Sequence, residues 1–151
     1  MTWEEVDLND AVWTVPADRM KAGKEHRVPL SNRAIEILKE QKDKVDRVDL
    51  VFPSPRGTVP SDMILTKFLR DQEAQSSEPG RTAVAHGFRS GFRDWASENG
   101  FPRDLAERAL AHTISNQTEA AYHRTDLLDQ RRGMMKTWNG NFTEIFNDFF
   151  Y

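Results

Sequence analysis

No cysteine occurs among the 151 residues, which removes disulfides, thiolate metal sites and thiol nucleophiles from consideration. No apolar run approaches the roughly 20 residues that a membrane helix needs. The opening Met1-Thr2-Trp3-Glu4-Glu5 has neither the basic nor the apolar region of a signal peptide. A cytoplasmic location is therefore expected. A basic excess is also lacking. The formal net charge is −3, whereas a simple nucleic-acid binder usually carries surplus Lys and Arg. No internal repeat and no low-complexity segment breaks the chain. What remains is a chain of single-domain length, long enough to bury a core, with 38% hydrophobic and 30% charged residues as in a soluble globular protein.

The distribution of charge says more than its sum. Glu4, Glu5, Asp7 and Asp10 make the start acidic, and Asp43, Asp46 and Asp49 do the same before Val51. Basic residues gather in three other places: Arg19 to Arg27, Arg81 to Arg93, and His123 to Arg132. Such clusters can build one positive face on a net acidic body. Solvated charge on ordinary surfaces is the alternative.

The pattern predicts a mixed α+β fold, with a small antiparallel sheet at one end of a mainly helical body. Val12 to Val15 and Arg27 to Leu30 read as strands, joined by a turn at Lys21-Ala22-Gly23-Lys24. Pro16 and Pro29 belong at strand ends or sheet edges, because proline cannot donate to a ladder. Ser31 is a candidate N-cap for a helix carrying Ala34, Ile35 and Leu38. Leu50 to Pro53 reads as a brief extended segment. Ser61 opens a second helix, whose buried face is expected to be Ile64, Leu65, Phe68 and Leu69. After a loop at Gln75 to Gly80, a helix from His86 to Asn99 should stop at Gly100. Pro102 should start the next, with Leu105 and Leu110 inward. A polar break at Thr113 to Asn116, a short helix around Tyr122, and a final helix from Asp126 to Gly140 complete the reading. The whole chain, 1–151, is expected to be one domain, with 139–151 a candidate docking tail.

His86 and Arg89 stand three apart, on one side of a helix, and Arg93 lies one turn further along. Imidazole, guanidinium and a helix N-terminus together suit a phosphate. Taken singly, each candidate has an ordinary alternative. His-x-x-Arg can be plain surface, His112 can cap a helix end, Tyr122 can be a core tyrosine with a bonded hydroxyl, and Lys21 can be a solvated turn residue. The four histidines show no His-x-x-x-His spacing, so a metal hydrolase is disfavoured.

The ordered set is more specific than its members. Trp3-Glu4-Glu5-Val6-Asp7-Leu8, Arg19-Met20-Lys21 through His26-Arg27-Val28-Pro29-Leu30-Ser31, Val51-Phe52-Pro53, His86-Gly87-Phe88-Arg89, Leu110-Ala111-His112, Ala120-Ala121-Tyr122, and Arg131-Arg132 with Met135 and Trp138 form one series. This series, from about Trp3 to Trp138, resembles the catalytic domain of tyrosine recombinases, the phage integrase family. The resemblance implies duplex DNA as partner, no cofactor and no metal. Tyr122 would be the nucleophile, Arg89, His86 and His112 would hold the phosphate, and Lys21 would protonate the leaving oxygen. Lys24, Arg93 and Arg124 would contact DNA, and the tail would support self-association on it. The family's first arginine belongs in a helix ahead of the segment matching Trp3, which this sequence does not contain. Impaired cleavage by this chain is therefore expected, and the alternative is an inactive DNA-binding or interaction remnant.

Overall fold

The structure is a computed structural model and describes residues 1–44, 49–76, 78, 80–112 and 125–150, with side chains as far as residue 141. Its sheet is antiparallel, in the order β1 (Val6–Asp7), β2 (Val12–Val15), β3 (His26–Pro29). Val6 pairs with Trp13, and Val12 with Pro29 on its other side. The first reversal is set by Asp7, whose Oδ1 accepts the N–H groups of Asn9 and Asp10, both at 2.9 Å. In the second, Gly23 takes φ +60°, a left-handed conformation that suits glycine. Pro29 lies on an edge strand, as its missing N–H requires. Glu5 braces this end by accepting from the Thr2 backbone, the Trp13 indole and Arg19. Burial alone would raise its pKa. The Arg19, Thr2 and Trp13 bonds outweigh that and hold it at about 2.

Helix α1 (Asn32–Lys44) follows Ser31, whose hydroxyl accepts the Ala34 N–H at 3.3 Å. The same hydroxyl donates to Asn139, 3.0 Å away on the last helix. Leu38 turns inward and is 3% exposed. The chain start is tied to the segment after α1 by Trp3 N–H to Asp49 O (2.9 Å) and Val51 N–H to Met1 O (3.2 Å). Val51 is fully buried there.

Helix α2 (Ile64–Asp71) corrects the expected burial. Ile64, Leu65 and Phe68 are exposed in the described structure, at 49%, 62% and 60%. The helix is there, but periodicity gives a face its polarity and cannot supply the partner that buries it. Helices α3 (Gly87–Glu98), α4 (Arg103–Ala109) and α5 (Leu128–Phe150) form the main core. Phe92, Ala96, Leu105, Ala106 and Met134 are buried together. Around them Phe92 meets Trp138 edge to face at 5.4 Å, and Trp95 bridges Phe101 and Trp138.

Gly140 does not end α5, which runs on to Phe150, so the tail continues the last helix. Glycine stops a helix when the chain turns left-handed. Gly100 does so at φ +72° after α3, whereas Gly140 stays helical with Thr137 and Asn141 bonded back to the preceding turn. The expected Thr113–Asn116 break and Tyr122 helix lie outside the described residues.

Burial sorts the two apolar faces energetically. Met134→Ala should cost about 2–5 kcal/mol of unfolding free energy, and Phe68→Ala should change it by roughly 0.5 kcal/mol or less. Chemical denaturation of the two variants measures the contrast. Equal losses would mean that the face of α2 is covered.

Candidate active site

Arg89 leaves the first turn of α3 half-buried, and its Nη2 donates to the Leu110 carbonyl at 2.5 Å. That bond crosses from α3 to the end of α4. It is possible because Phe92 and Ala96 pack on Leu105 and Ala106 just beyond it. His86 is exposed at the N-cap position of α3, and its carbonyl accepts the Arg89 N–H at 3.0 Å. The His86 box and the start of the His112 box therefore share one end of the helix pair.

The end of α4 is a double-bonded cap. Ala111 adopts φ +54°, its N–H reaches the Arg108 carbonyl at 3.1 Å, and the His112 N–H reaches the Glu107 carbonyl at 2.9 Å. These are the two bonds of a Schellman motif, here with alanine in the place usually taken by glycine. The Glu107 side chain returns to the same residue, with Oε2 2.5 Å from His112 Nδ1. Its other oxygen lies 3.0 Å from Arg93 Nη2 and 3.9 Å from Arg103 Nε. The His112 bond, opposed by burial and helped by the Arg93 and Arg103 charges, holds the Glu107 carboxyl below its ordinary pKa. Arg93, a candidate DNA contact, thus shares its charge with Glu107. Glu107 itself escaped the sequence reading, because an acidic residue five before a histidine matches no helical contact rule until the cap folds back.

Lys21 and Lys24 are exposed in the turn between β2 and β3. At the near end of that hairpin, His26 is half-buried against the α3–α4 junction. Burial lowers its pKa, the Arg131 and Arg89 charges push the same way, and the Ala109 carbonyl and Asp126 oppose them. In the sequence His26 stands out only as part of a basic cluster in the hairpin segment. Among the described residues no three His, Asp or Glu side chains gather as a metal ion would need.

The start of α5 is clamped to β3. Arg131, 1% exposed, donates to the Asp126 carbonyl (2.8 Å), the Asp126 carboxylate (3.0 Å) and the Arg27 carbonyl (2.7 Å). Arg27 grips Asp126 with two bonds of 2.8 and 2.7 Å. Arg108 Nη1 reaches the Thr125 carbonyl at 2.9 Å. Tyr122 and Arg124 lie outside the described residues. The residues on either side of that segment, His112 and Thr125, are both tied to α4.

The sequence matches the phage integrase family over residues 1–127. The chain belongs to that family. It is 38% identical over 139 residues to prophage integrase IntA of Escherichia coli K12, covering 90% of this chain and 32% of that protein. It is 33% identical over 152 residues to the integrase of Enterobacteria phage P4, covering 90% and 34%. The integrase of Shigella phage Sf6 is 30% identical over 142 residues, covering 91% and 35%. This integrase-family chain thus spans about a third of the length of the curated relatives it matches. No solved structure matches it.

The clamp gives a pH-dependent prediction. Burial would raise the Asp126 pKa, but the Arg27 bond and the Arg131 and Arg27 charges win and lower it. A carboxyl depressed in the fold stabilises above its unfolded value of about 3.9, and that share is lost as pH falls through the lower folded value. Asp126→Asn should therefore destabilise at pH 7 and flatten the acid limb that otherwise falls as pH drops below about 5. Breaking a buried pair costs about 3–5 kcal/mol. The lower end or less is expected, because Asp126 keeps 37% of its side chain exposed. Urea unfolding across pH measures both effects.

Proposed function

We propose that this chain is the catalytic part of a site-specific DNA recombinase that works through a covalent 3′-phosphotyrosyl intermediate. The observation that carries the reading is the bond from Arg89 to Leu110, two residues before His112, in a chain of the integrase family. Residues separated in sequence but needed at one phosphorus thereby share one end of α3 and α4. On this reading the sheet with the lysine hairpin sits at the end of a helical body in the manner of a tyrosine-recombinase catalytic domain.

Tyr122 loses its proton, and its oxygen attacks the scissile phosphorus while the bond from phosphorus to the 5′-oxygen breaks. Arg89, with five N–H donors and one bonded to Leu110, stabilises the non-bridging oxygens as charge builds on them. His86 and His112 donate hydrogen bonds to the phosphate and assist proton movement. Lys21 gives the departing 5′-oxygen its proton. The phosphotyrosyl ester keeps the bond energy, so a 5′-hydroxyl from another strand can reverse the step without ATP or metal. The process is assigned to the cytoplasm, on duplex DNA, with the C-terminal end of α5 as the candidate contact between copies. The similarity to integrases does not favour the inactive-remnant alternative.

Binding should be weak, metal-independent and strongly salt-dependent. Replacing Lys21 and Lys24 together by alanine should reduce the slope of log affinity against log salt by about 1–2. An unchanged slope would remove the hairpin from the DNA contact.

Activity is tested with a nicked duplex and denaturing gels. A covalent adduct should form through Tyr122, vanish in Tyr122→Phe and survive a chelator. The arginine that the resemblance places ahead of Trp3 supplies one more donor to the phosphate. Joining the matching upstream segment of the phage P4 integrase to this chain should raise adduct formation about 10²-fold or more. No adduct with that extension present would overturn the reading.

A further inference from the structure

We propose that Glu107 is a positioning residue for His112, holding its imidazole by Nδ1 so that Nε2 is the atom offered to the scissile phosphate. The inference rests on the proposed function for what His112 does, and on the geometry of α4 for how it is held. Glu107 fixes His112 at two points. Its carbonyl takes the His112 N–H at 2.9 Å, and its carboxylate stands 2.5 Å from Nδ1.

The remaining freedom of His112 is small. The Schellman cap sets its backbone, with Ala111 at φ +54° just before it. Arg89 holds the Leu110 carbonyl in the same cap. The ring's own torsions are then limited by the carboxylate. That carboxylate also lies 3.0 Å from Arg93 as an ion pair, with 18% of its side chain exposed. Arg103, at 3.9 Å and 83% exposed, adds a weak third hold.

The chemical consequence follows from the two ring nitrogens. Which one carries a proton is set by the hydrogen bond the other makes. A carboxylate can only accept, so Nδ1 must be the donor toward Glu107. Nε2 is then free to accept a proton when the ring is neutral, or to donate to a phosphate oxygen when it is cationic. A histidine serving both directions of a reversible phosphoryl transfer needs both states at one atom. This is the way a carboxylate orients the base in hydrolytic triads, without itself taking the proton.

The test uses nitrogen NMR of the imidazole side chains in this chain at about pH 8, where an ordinary imidazole is neutral. Only four histidines are present, so His112→Gln assigns the signal. The His112 ring should carry its proton on Nδ1. Glu107→Ala should lose that pattern, and Glu107→Gln, which keeps an acceptor oxygen, should retain it. A wild-type ring protonated on Nε2, or a pattern unmoved by Glu107→Ala, overturns the proposal. Single-turnover adduct formation, followed in the extended chain, gives the functional arm. Glu107→Ala should slow it on the order of 10-fold or more with duplex affinity changed less than about twofold, below the loss from removing an acid–base residue outright. Glu107→Gln should recover part of the rate. A rate that follows affinity or the folded fraction instead would show Glu107 to be a surface or packing residue. Failure of the tyrosine mechanism reads out separately, as an adduct that persists in Tyr122→Phe, and leaves the NMR result standing.

Discussion

A single buried guanidinium organises the junction between the sheet and the helices. Arg131 comes from the first turns of α5 and reaches β3 and the Asp126 corner at once. Taking a charge out of water costs several kcal/mol unless its donors are satisfied. Burial, with the Arg27 and Arg108 charges, lowers its pKa against the pull of Asp126. The cost is offset because two of the three acceptors are backbone carbonyls that also need partners. Arg132 adds a second tie to the sheet, donating to the Asp10 carbonyl at 2.7 Å. Remove this junction and β3 no longer brings His26 to Ala109, nor α5 its Met134 to the core.

The end of α4 is the second fixed point, and it depends on the first. Carbonyls at a helix C-terminus lack intrahelical donors and carry partial negative charge. Here the Leu110 carbonyl takes Arg89, the Ala109 carbonyl takes His26, and the Arg108 and Glu107 carbonyls take the cap's own N–H groups. Side-chain donors from α3 and β3 therefore converge where the backbone offers acceptors. On the proposed function, such an arrangement would have its donors in place before a phosphate arrives, as electrostatic preorganisation requires.

The helices were legible because their apolar spacing and breakers are local. Ser31, Gly100 and Pro102 mark ends that the chain uses, and Pro29 lies at the sheet edge. Gly140 misled because the same residue is a stop signal or a tolerated interior residue, depending on a left-handed turn that sequence does not display. Ile64, Leu65 and Phe68 misled for a different reason, since a moment is intrinsic to a helix and burial is not. Of the proposed site, His86, Arg89 and His112 are the residues that order along the chain brings forward. Glu107, His26 and Asp126 are not among them. Their roles arise across a cap, a sheet-to-helix contact, and a pairing between residues 27 and 126.

The distribution of charge has a structural side as well. Much of the clustered basic charge is paired with carboxylates of the same chain: Arg19 with Glu5, Arg27 and Arg131 with Asp126, Arg93 with Glu107, Arg81 with Glu78. Several of these pairs are half exposed and worth little as stability. Their effect is on where positive charge remains available. Lys21 and Lys24 in the hairpin turn and the donors left on Arg89 are separated in sequence, yet they belong to elements joined through His26 and the α4 cap. Charge that is sparse but held in place favours one phosphate in one orientation over a long stretch of backbone. On the proposed function, such an arrangement favours placement of one phosphate over tight binding of a long duplex.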